Sequence, residues 1–526
     1  MKRKDFLKYS ASSLLMPSVL KSFGTRKAPS SLMNMLTNSN VETDKVLVLV
    51  RMDGGNDGLN TVVPINQYDR LTAARETVIL PENSLLSMDG VDEVKLHPSM
   101  TEMRNLYNEG KLQIIQSVGY PNPDYSHFRS TDIWMTGSDS DQVLNTGWAG
   151  RYLHNEFPNF PVNFPNQEMP DPLALEIGSF LSLTFSGPNS GMSISVSDPT
   201  SFYELIDGST GTIPNTPAGA KLDYIRLIQK QSNAYGAVIK NAAESVVNQL
   251  PYPENNDLAE QLKIVAQLIA GGLKTRVFMV SIGGFDTHDN QVDLSDHTDG
   301  AHANLLKEVS QAIDAFMKDI EFLGLQNRVV GMTFSEFGRR IISNFSNGTD
   351  HGAAAPLFVF GHNIQGGVLG DTPFIPLNAD ENSNLVMQYD FRSIYSTMIQ
   401  DWFCVPPNET TDIMLQDFQK LPIISQSDCL STATKERLRN AGKSILSVYP
   451  NPFIESTNFT FHSNGGHCII QIFNSEGRKL KTVASKIFPQ GEHTITWDAE
   501  DLPTGTYHVR LQNGAMQQVK SMMKVM

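Results

Sequence analysis

Carboxylates and imidazoles gather directly after short apolar runs at several places in this sequence. Asp286 and His288 stand two apart in GGFDTHDN, just past the run TRVFMVSI at 275–282. In an extended segment residues i and i+2 face the same way, so this Asp and His make half a site for a divalent cation. The run at 329–333 is followed at once by Ser335 and Glu336, and Asp350 and His351 precede a further apolar run at 356–360. An acid and a histidine brought to one sheet edge can hold a metal. Near the start, KVLVLV (45–50) leads into RMDGGNDGLN, where Asp53, Asn56, Asp57 and Asn60 offer four oxygen-bearing side chains. Such a group suits a hard or borderline cation or, with no metal, an Asx-rich turn. After the run at 112–118 and two prolines comes Ser126, placed as a helix N-cap. Backbone N–H groups and the helix dipole favour anions there, and a neighbouring metal would activate the hydroxyl as a nucleophile. Ser130 is the rival hydroxyl.

These residues need elements that bring them together. Short apolar runs closed by Gly and polar groups read as buried strands of a parallel sheet, and in such sheets chemistry collects beyond the carboxyl ends. Helical patterns at 222–247, 258–273 and 301–323 alternate with the runs. The alternation predicts an α/β fold, a mostly parallel sheet with helices on both faces. Residues 155–225 are rich in Pro, Ser, Gly and Asn and predict irregular loops, at most with an extra hairpin. His297 and His302 are expected to be solvated. Residues 425–444 read as a polar linker. From Ile445 short alternating runs separated by turn signals predict a small all-β sandwich over 445–526.

The chain has 526 residues, with 40% hydrophobic and 18% charged and a net charge of -15. That is room for two domains, and the acidic balance argues against non-specific nucleic-acid binding. Cys404, Cys429 and Cys468 form no CxxC pattern, which argues against a thiolate zinc site. Cys404 and Cys429 can pair in an oxidising compartment. No run of about 18 apolar residues occurs, so no transmembrane span is expected. The basic head and modest apolar run at 1–30 read as an export signal.

Taken in order, MDGGNDGLNTVVP, SHFRSTDIW, GWAGRYL, GGFDTH, TFSEFGRR and GTDHGAAAPLFVFG resemble the DUF1501 family within the alkaline phosphatase/sulfatase superfamily, over about residues 44–424. The resemblance implies an alkaline phosphatase-like fold and an exported, metal-dependent hydrolase of phosphate or sulfate esters, so an anionic ester substrate. It implies two divalent ions, zinc, calcium or magnesium, about a nucleophilic Ser or Thr. Carried over by position, Asp53 is the first acid, Ser126 the nucleophile, Asp286 and His288 the later pair, Glu336 the acid of the second metal and His351 the final histidine. Phe337 stands where the superfamily places a ligand histidine. Arg339 or Arg340 would clamp the anion in two-point fashion. The head resembles a twin-arginine signal, with Lys4 in place of the second Arg. YPNPF, LPTGTYHVRL and the closing stretch around Lys520 and Ser521 resemble the type A sorting domain of type IX secretion, which implies that machinery as a partner of 445–526 and a secreted or surface-attached protein. The competing expectation is a surface binding or scaffold protein that keeps the fold and has lost the chemistry.

Overall fold

The computed structural model describes residues 44–425, apart from 159, 163, 168, 179–180, 200–232 and 247, then Cys429 and 446–525, apart from 475–477, 500–501 and 514–515. The expected export signal and nearly all of the expected linker lie outside the described residues, as does part of the helical pattern at 222–247. The chain divides into two compact units, one within Thr43–Cys429 and one within Leu430–Met526.

The strand Val46–Met52 shows how the first unit is layered. Val46, Val48, Val50 and Met52 belong to one apolar cluster, while Leu47 and Leu49 belong to another. Successive side chains of a strand point to opposite faces, so a strand covered on both faces reads as an unbroken apolar run. The first face is packed by Thr101–Asn108, Asp257–Ala270 and Ala301–Phe322 through residues such as Met103, Leu262 and Ile313. The second is packed by His127–Thr136, Trp148–Glu156 and Phe391–Thr397, where Trp148 stacks on Tyr395 at 4.3 Å. Helices thus lie on both faces, as expected.

Across the main sheet the strands run Gly367–Leu369, Leu112–Gly119, Ala355–Gly361, Val329–Phe334, Val46–Met52, Val277–Ile282, Ala174–Ile177 and Ser193–Val196, with Tyr389–Asp390 also pairing to Leu112–Gly119. Val46–Met52 is parallel to both of its neighbours. Ala355–Gly361 is antiparallel to both of its own. The apolar run at 356–360, expected as a parallel strand, is therefore reversed. Its amino end lies at the edge where the neighbouring strands have their carboxyl ends, and this carries His351 to that edge. A second difference concerns 155–225. Ala174–Ile177 and Ser193–Val196 pair in parallel and extend the sheet, instead of forming a hairpin.

A disulfide joins Cys404 to Cys429 at the end of this unit, while Cys468 is free and buried. Disulfides persist in oxidising compartments. No helix among the described residues is long and apolar enough to cross a membrane.

In the second unit Leu446–Tyr449, Ser456–Asn474, Lys479–Asp498, Gly505–Asn513 and Met516–Lys524 pair antiparallel throughout. The runs at 458–462 and 468–474 join into one strand of 19 residues. Phe459, Ile470, Trp497 and Leu511 form part of a separate core. Tyr507 donates its hydroxyl to the Pro503 carbonyl at 2.6 Å, the tyrosine corner found in immunoglobulin-type sandwiches.

Candidate metal centre

Five chain segments deliver side chains to one edge of the main sheet. Asp53 to Gly55 follow Val46–Met52, Asp286 and His288 follow Val277–Ile282, and Ser335 and Glu336 follow Val329–Phe334. Tyr125 to His127 follow Leu112–Gly119, and His351 precedes the reversed strand. Close approach of the backbones needs glycine. Gly54 has φ +125°, and a Cβ there would stand 2.3 Å from the Asp286 nitrogen, a position no other residue fills without displacing the ligand loop.

Asp286 is the hub. Its Oδ1 lies 3.2 Å from Nε2 of His288 and 3.2 Å from Nε2 of His351, and its Oδ2 lies 3.4 Å from Nε2 of His127. The Nε2 atoms of His288 and His351 are 2.8 Å apart. One donor atom each from His127, Asp286 and His351 all fall within 4.8 Å of one another.

The other ring nitrogens fix the tautomers. His351 Nδ1 is 2.7 Å from the Tyr125 carbonyl, which can only accept, so Nδ1 carries the hydrogen and Nε2 the lone pair. His288 Nδ1 meets Asp350 Oδ1 at 3.0 Å and His127 Nδ1 meets Glu336 Oε1 at 2.8 Å, with the same consequence. Three imidazole lone pairs therefore converge beside one carboxylate. Among the described residues, buried His127 Nε2 has no hydrogen-bond partner, which is uncommon for a buried polar atom and fits a metal ligand. Imidazoles held through Nδ1 by a carboxylate or carbonyl are the usual form of metal-ligating histidine.

Burial pushes the Asp286 carboxyl up, but the Arg339 hydrogen bond and charge, followed by His351 and His288, outweigh it and hold it at about 2. Burial lowers His351, helped by the charges of Arg339 and His127 and opposed by its bond to the Tyr125 carbonyl and by the neighbouring Asp286 carboxylate. Asp350 is pushed up by burial but lowered overall, chiefly by hydrogen bonds from His288 and Asn344. The anionic acid and the neutral imidazole are the forms that bind metal.

The remaining expected residues fall as follows. Ser126 is exposed at the N-cap of His127–Thr136, and its N–H donates to Asp124 Oδ1 at 2.7 Å. Ser130 is fully buried and bonds the Asp124 carbonyl at 2.6 Å and the Tyr120 hydroxyl at 2.9 Å. Of the two hydroxyls, Ser126 is the one open to solvent. Asp53 turns its carboxylate to Arg51 at 2.6 Å. Glu336 is buried; its oxygens accept from the Gly54 N–H at 3.0 and 3.2 Å and from His127, so it lies behind the imidazole. Arg339 is expected as an anion clamp, yet its buried guanidinium is spent on the carbonyls of Gly54, Gly55, Thr349 and Phe285 and on Asp286. It braces the loops and has no fork left for an anion. Arg340 is half-buried at the rim, donating to the His351 carbonyl at 3.2 Å and to Asn382 at 3.1 Å. Phe337 is buried with its ring 4.8 Å from His127 and 4.5 Å from His351, an apolar floor.

His127 has no role in the sequence reading, where Ser126 takes the position's significance. The signal available is topological: the segment after 112–119 must arrive at the same edge as the other loops. His302, expected in solvent, is buried and bonds Asn56 Oδ1 at 2.9 Å.

The molecule is thus a mixed α/β protein with a loop-built histidine–carboxylate centre and a separate β unit. Residues 229–402 match the model of a family described as Protein of unknown function (DUF1501), and residues 447–525 match the Secretion system C-terminal sorting domain. Both matches fall within the stretches that the resemblances cover, and the sorting match indicates export with a secreted or cell-surface fate. No curated protein matches it. Among solved structures it is similar to a protein in the alkaline phosphatase superfamily from Vibrio parahaemolyticus (8% identity, 86% of this chain and 78% of that one, TM-score 0.32). It is also similar to a sulfatase from Pseudoalteromonas sp. (10% identity, 90% and 88%, TM-score 0.31). A third is PorZ, a surface component of the type-IX secretion system of Porphyromonas gingivalis (14% identity, 20% of this chain and 14% of that one, TM-score 0.14). This chain therefore spans only a small part of PorZ, and scores this low carry no information on mechanism.

Proposed function

We propose that the first unit is a metal-dependent hydrolase of phosphate or sulfate esters that leaves the cell by type IX secretion. The observation that carries this reading is the approach of three Nε2 atoms to Asp286, each imidazole held from behind through Nδ1. His127, Asp286 and His351 would hold one ion, with His288 as a fourth donor beside His351. Three imidazoles and a carboxylate suit zinc or a similar first-row ion, whereas calcium and magnesium take oxygen ligands and fit this donor set poorly. Bound there, the ion supplies positive charge to the ester oxygens as negative charge develops on them.

The chain's own residues account for the rest. Ser126 is exposed and directly precedes His127 in the chain; its Oγ would form the new bond to phosphorus or sulfur while its proton goes to the departing ester oxygen, and water would then release the serine. Arg340 at the rim would hold the anion. Glu336, Asp350 and the Tyr125 carbonyl keep the imidazoles in one tautomer, and Phe337 excludes water from below. Asp53 is engaged by Arg51, and Glu336 by Gly54 and His127, which supports one ion in place of the two that the resemblance implies. The aromatic ring of Phe337 where a ligand histidine is expected favours a second reading, a scaffold that keeps the site without turnover.

Elemental analysis of the purified full chain, coupled to a panel of phosphate and sulfate esters, tests both. The expected result is about one zinc-class ion per chain and ester cleavage that a chelator abolishes. A bound ion with no turnover of any ester supports the scaffold. A protein that takes up no ion sinks the metal centre altogether.

A further inference from the structure

Behind the ligand loops lies a buried polar chain that the reading above does not use. Gln291 is fully buried. Its side-chain carbonyl accepts from the hydroxyls of Thr287 at 3.1 Å and Thr349 at 2.8 Å, and its amide nitrogen donates to Asp57 Oδ2 at 2.6 Å. Asp57 Oδ2 also takes Arg75 Nη1 at 2.6 Å, with both side chains at 0% exposure. Arg75 continues to the Asn60 side chain and to the carbonyls of Ile341 and Arg340.

The positions of the two threonines give this chain its meaning. Thr287 stands between Asp286 and His288. Thr349 is next to Asp350, the acceptor of His288 Nδ1, and two residues before His351. The Thr349 N–H also donates to the Thr287 carbonyl at 3.1 Å. One amide oxygen thus ties together the two loops that bring three of the four ligands. A carbonyl oxygen has two lone pairs, so it can accept from both hydroxyls at once. A buried ion pair such as Asp57–Arg75 is poor value for stability alone, because desolvation offsets the attraction and apolar packing commonly does as well. Its return here is geometry: it holds the Gln291 amide in one orientation.

We propose that Gln291 is a positioning residue of the metal centre, setting the separation of Asp286 and His288 from His351 through the hydroxyls of Thr287 and Thr349. This rests on the metal reading above. The test uses the full chain with Thr287→Val, Thr349→Val and Gln291→Asn, the last of which keeps an amide but withdraws it by one methylene. Zinc and cobalt(II) affinity is measured by chelator competition, the cobalt absorption spectrum reports ligand geometry, and the thermal midpoint of the metal-free protein is the control. The expected result is binding weaker by roughly 10- to 100-fold, the usual cost of losing a partner behind the ligands, with an altered cobalt spectrum. Thr287→Ser and Thr349→Ser, which keep the hydroxyl, are expected to bind as wild type does. A purely structural role would lower the metal-free midpoint and leave affinity and spectrum unchanged. Wild-type affinity and spectrum in whichever of the first three variants fold overturn the proposal while leaving the metal centre standing. A wild-type chain that binds neither ion overturns the metal centre and this proposal with it.

Discussion

The Nε2 atoms of His288 and His351 lie 2.8 Å apart, although 63 positions separate the residues in sequence. Each ring donates from Nδ1 to an oxygen, so the facing atoms both carry lone pairs and repel unless a cation or proton comes between them. Replacing His127, His288 or His351 by Ala is therefore expected to weaken metal binding by more than the roughly 100-fold that loss of an outer partner can cost. His288 is 42% exposed, so its loss should change the metal-free thermal midpoint little. Metal stoichiometry and melting of the three variants check this; full occupancy in both His288→Ala and His351→Ala would remove the site as drawn.

Glu336 is expected to act on the metal through His127. Glu336→Ala strands the buried Gly54 N–H and His127 Nδ1–H, at about 1–3 kcal/mol for each unsatisfied donor. It should also weaken metal binding by roughly 10- to 100-fold. Urea unfolding and chelator competition measure the two effects separately, and a variant that loses stability yet binds metal as wild type does would deny Glu336 its orienting role.

Acid should destabilise the first unit through two other histidines. Burial, the largest influence on each, pulls His97 down to about 3 and His302 down to about 4 from an ordinary 6.5. Asp57 works against both shifts; Arg75 and Arg339 reinforce that of His302. In the unfolded chain both protonate near 6.5, so between that value and the folded ones the unfolded state binds more protons. Their contribution is complete above about pH 6.5 and is lost as the pH falls toward about 4 for His302 and about 3 for His97. The thermal midpoint should drop from pH 7 to pH 5, and His302→Gln should flatten the slope. A midpoint independent of pH across that window would contradict the assignment.

A chain ended after Cys429 is expected to fold and keep its metal affinity, because each unit has its own apolar core. It should lack the signal for surface delivery. Cell fractionation decides: surface arrival of the shortened chain at the normal level would show that 447–525 do not direct sorting.

The five central strands of the main sheet, Val46–Met52, Leu112–Gly119, Val277–Ile282, Val329–Phe334 and Ala355–Gly361, were legible because residues covered on both faces leave continuous apolar runs, and the polar residues that close those runs mark the site edge; the short outer strands left no such run. Direction was not legible. The run at 356–360 looks the same whether it lies parallel or antiparallel, since a buried strand needs apolar residues either way. Arg339 misleads for a related reason: its partners are mostly backbone carbonyls, which every residue has and no sequence pattern displays. His302 did leave a trace, because it stands four residues before Leu306 on the apolar stripe of Ala301–Phe322, the spacing that puts two side chains on one helix face. His127 was hidden by its neighbour, a serine whose N-cap position has a ready chemical meaning of its own.

The bridge between Cys404 and Cys429 decides where mechanical load enters the first unit. Tension on the chain beyond Cys429 crosses the disulfide to Cys404 and bypasses residues 405–428, which include the helix Pro407–Met414. Two residues before Cys404, the buried Trp402 donates its indole N–H to the Val46 carbonyl at 3.1 Å, in the strand Val46–Met52. A pull on the chain beyond Cys429 is thus delivered two residues from that contact, and the helix Pro407–Met414 stays outside the loaded path until the disulfide is reduced.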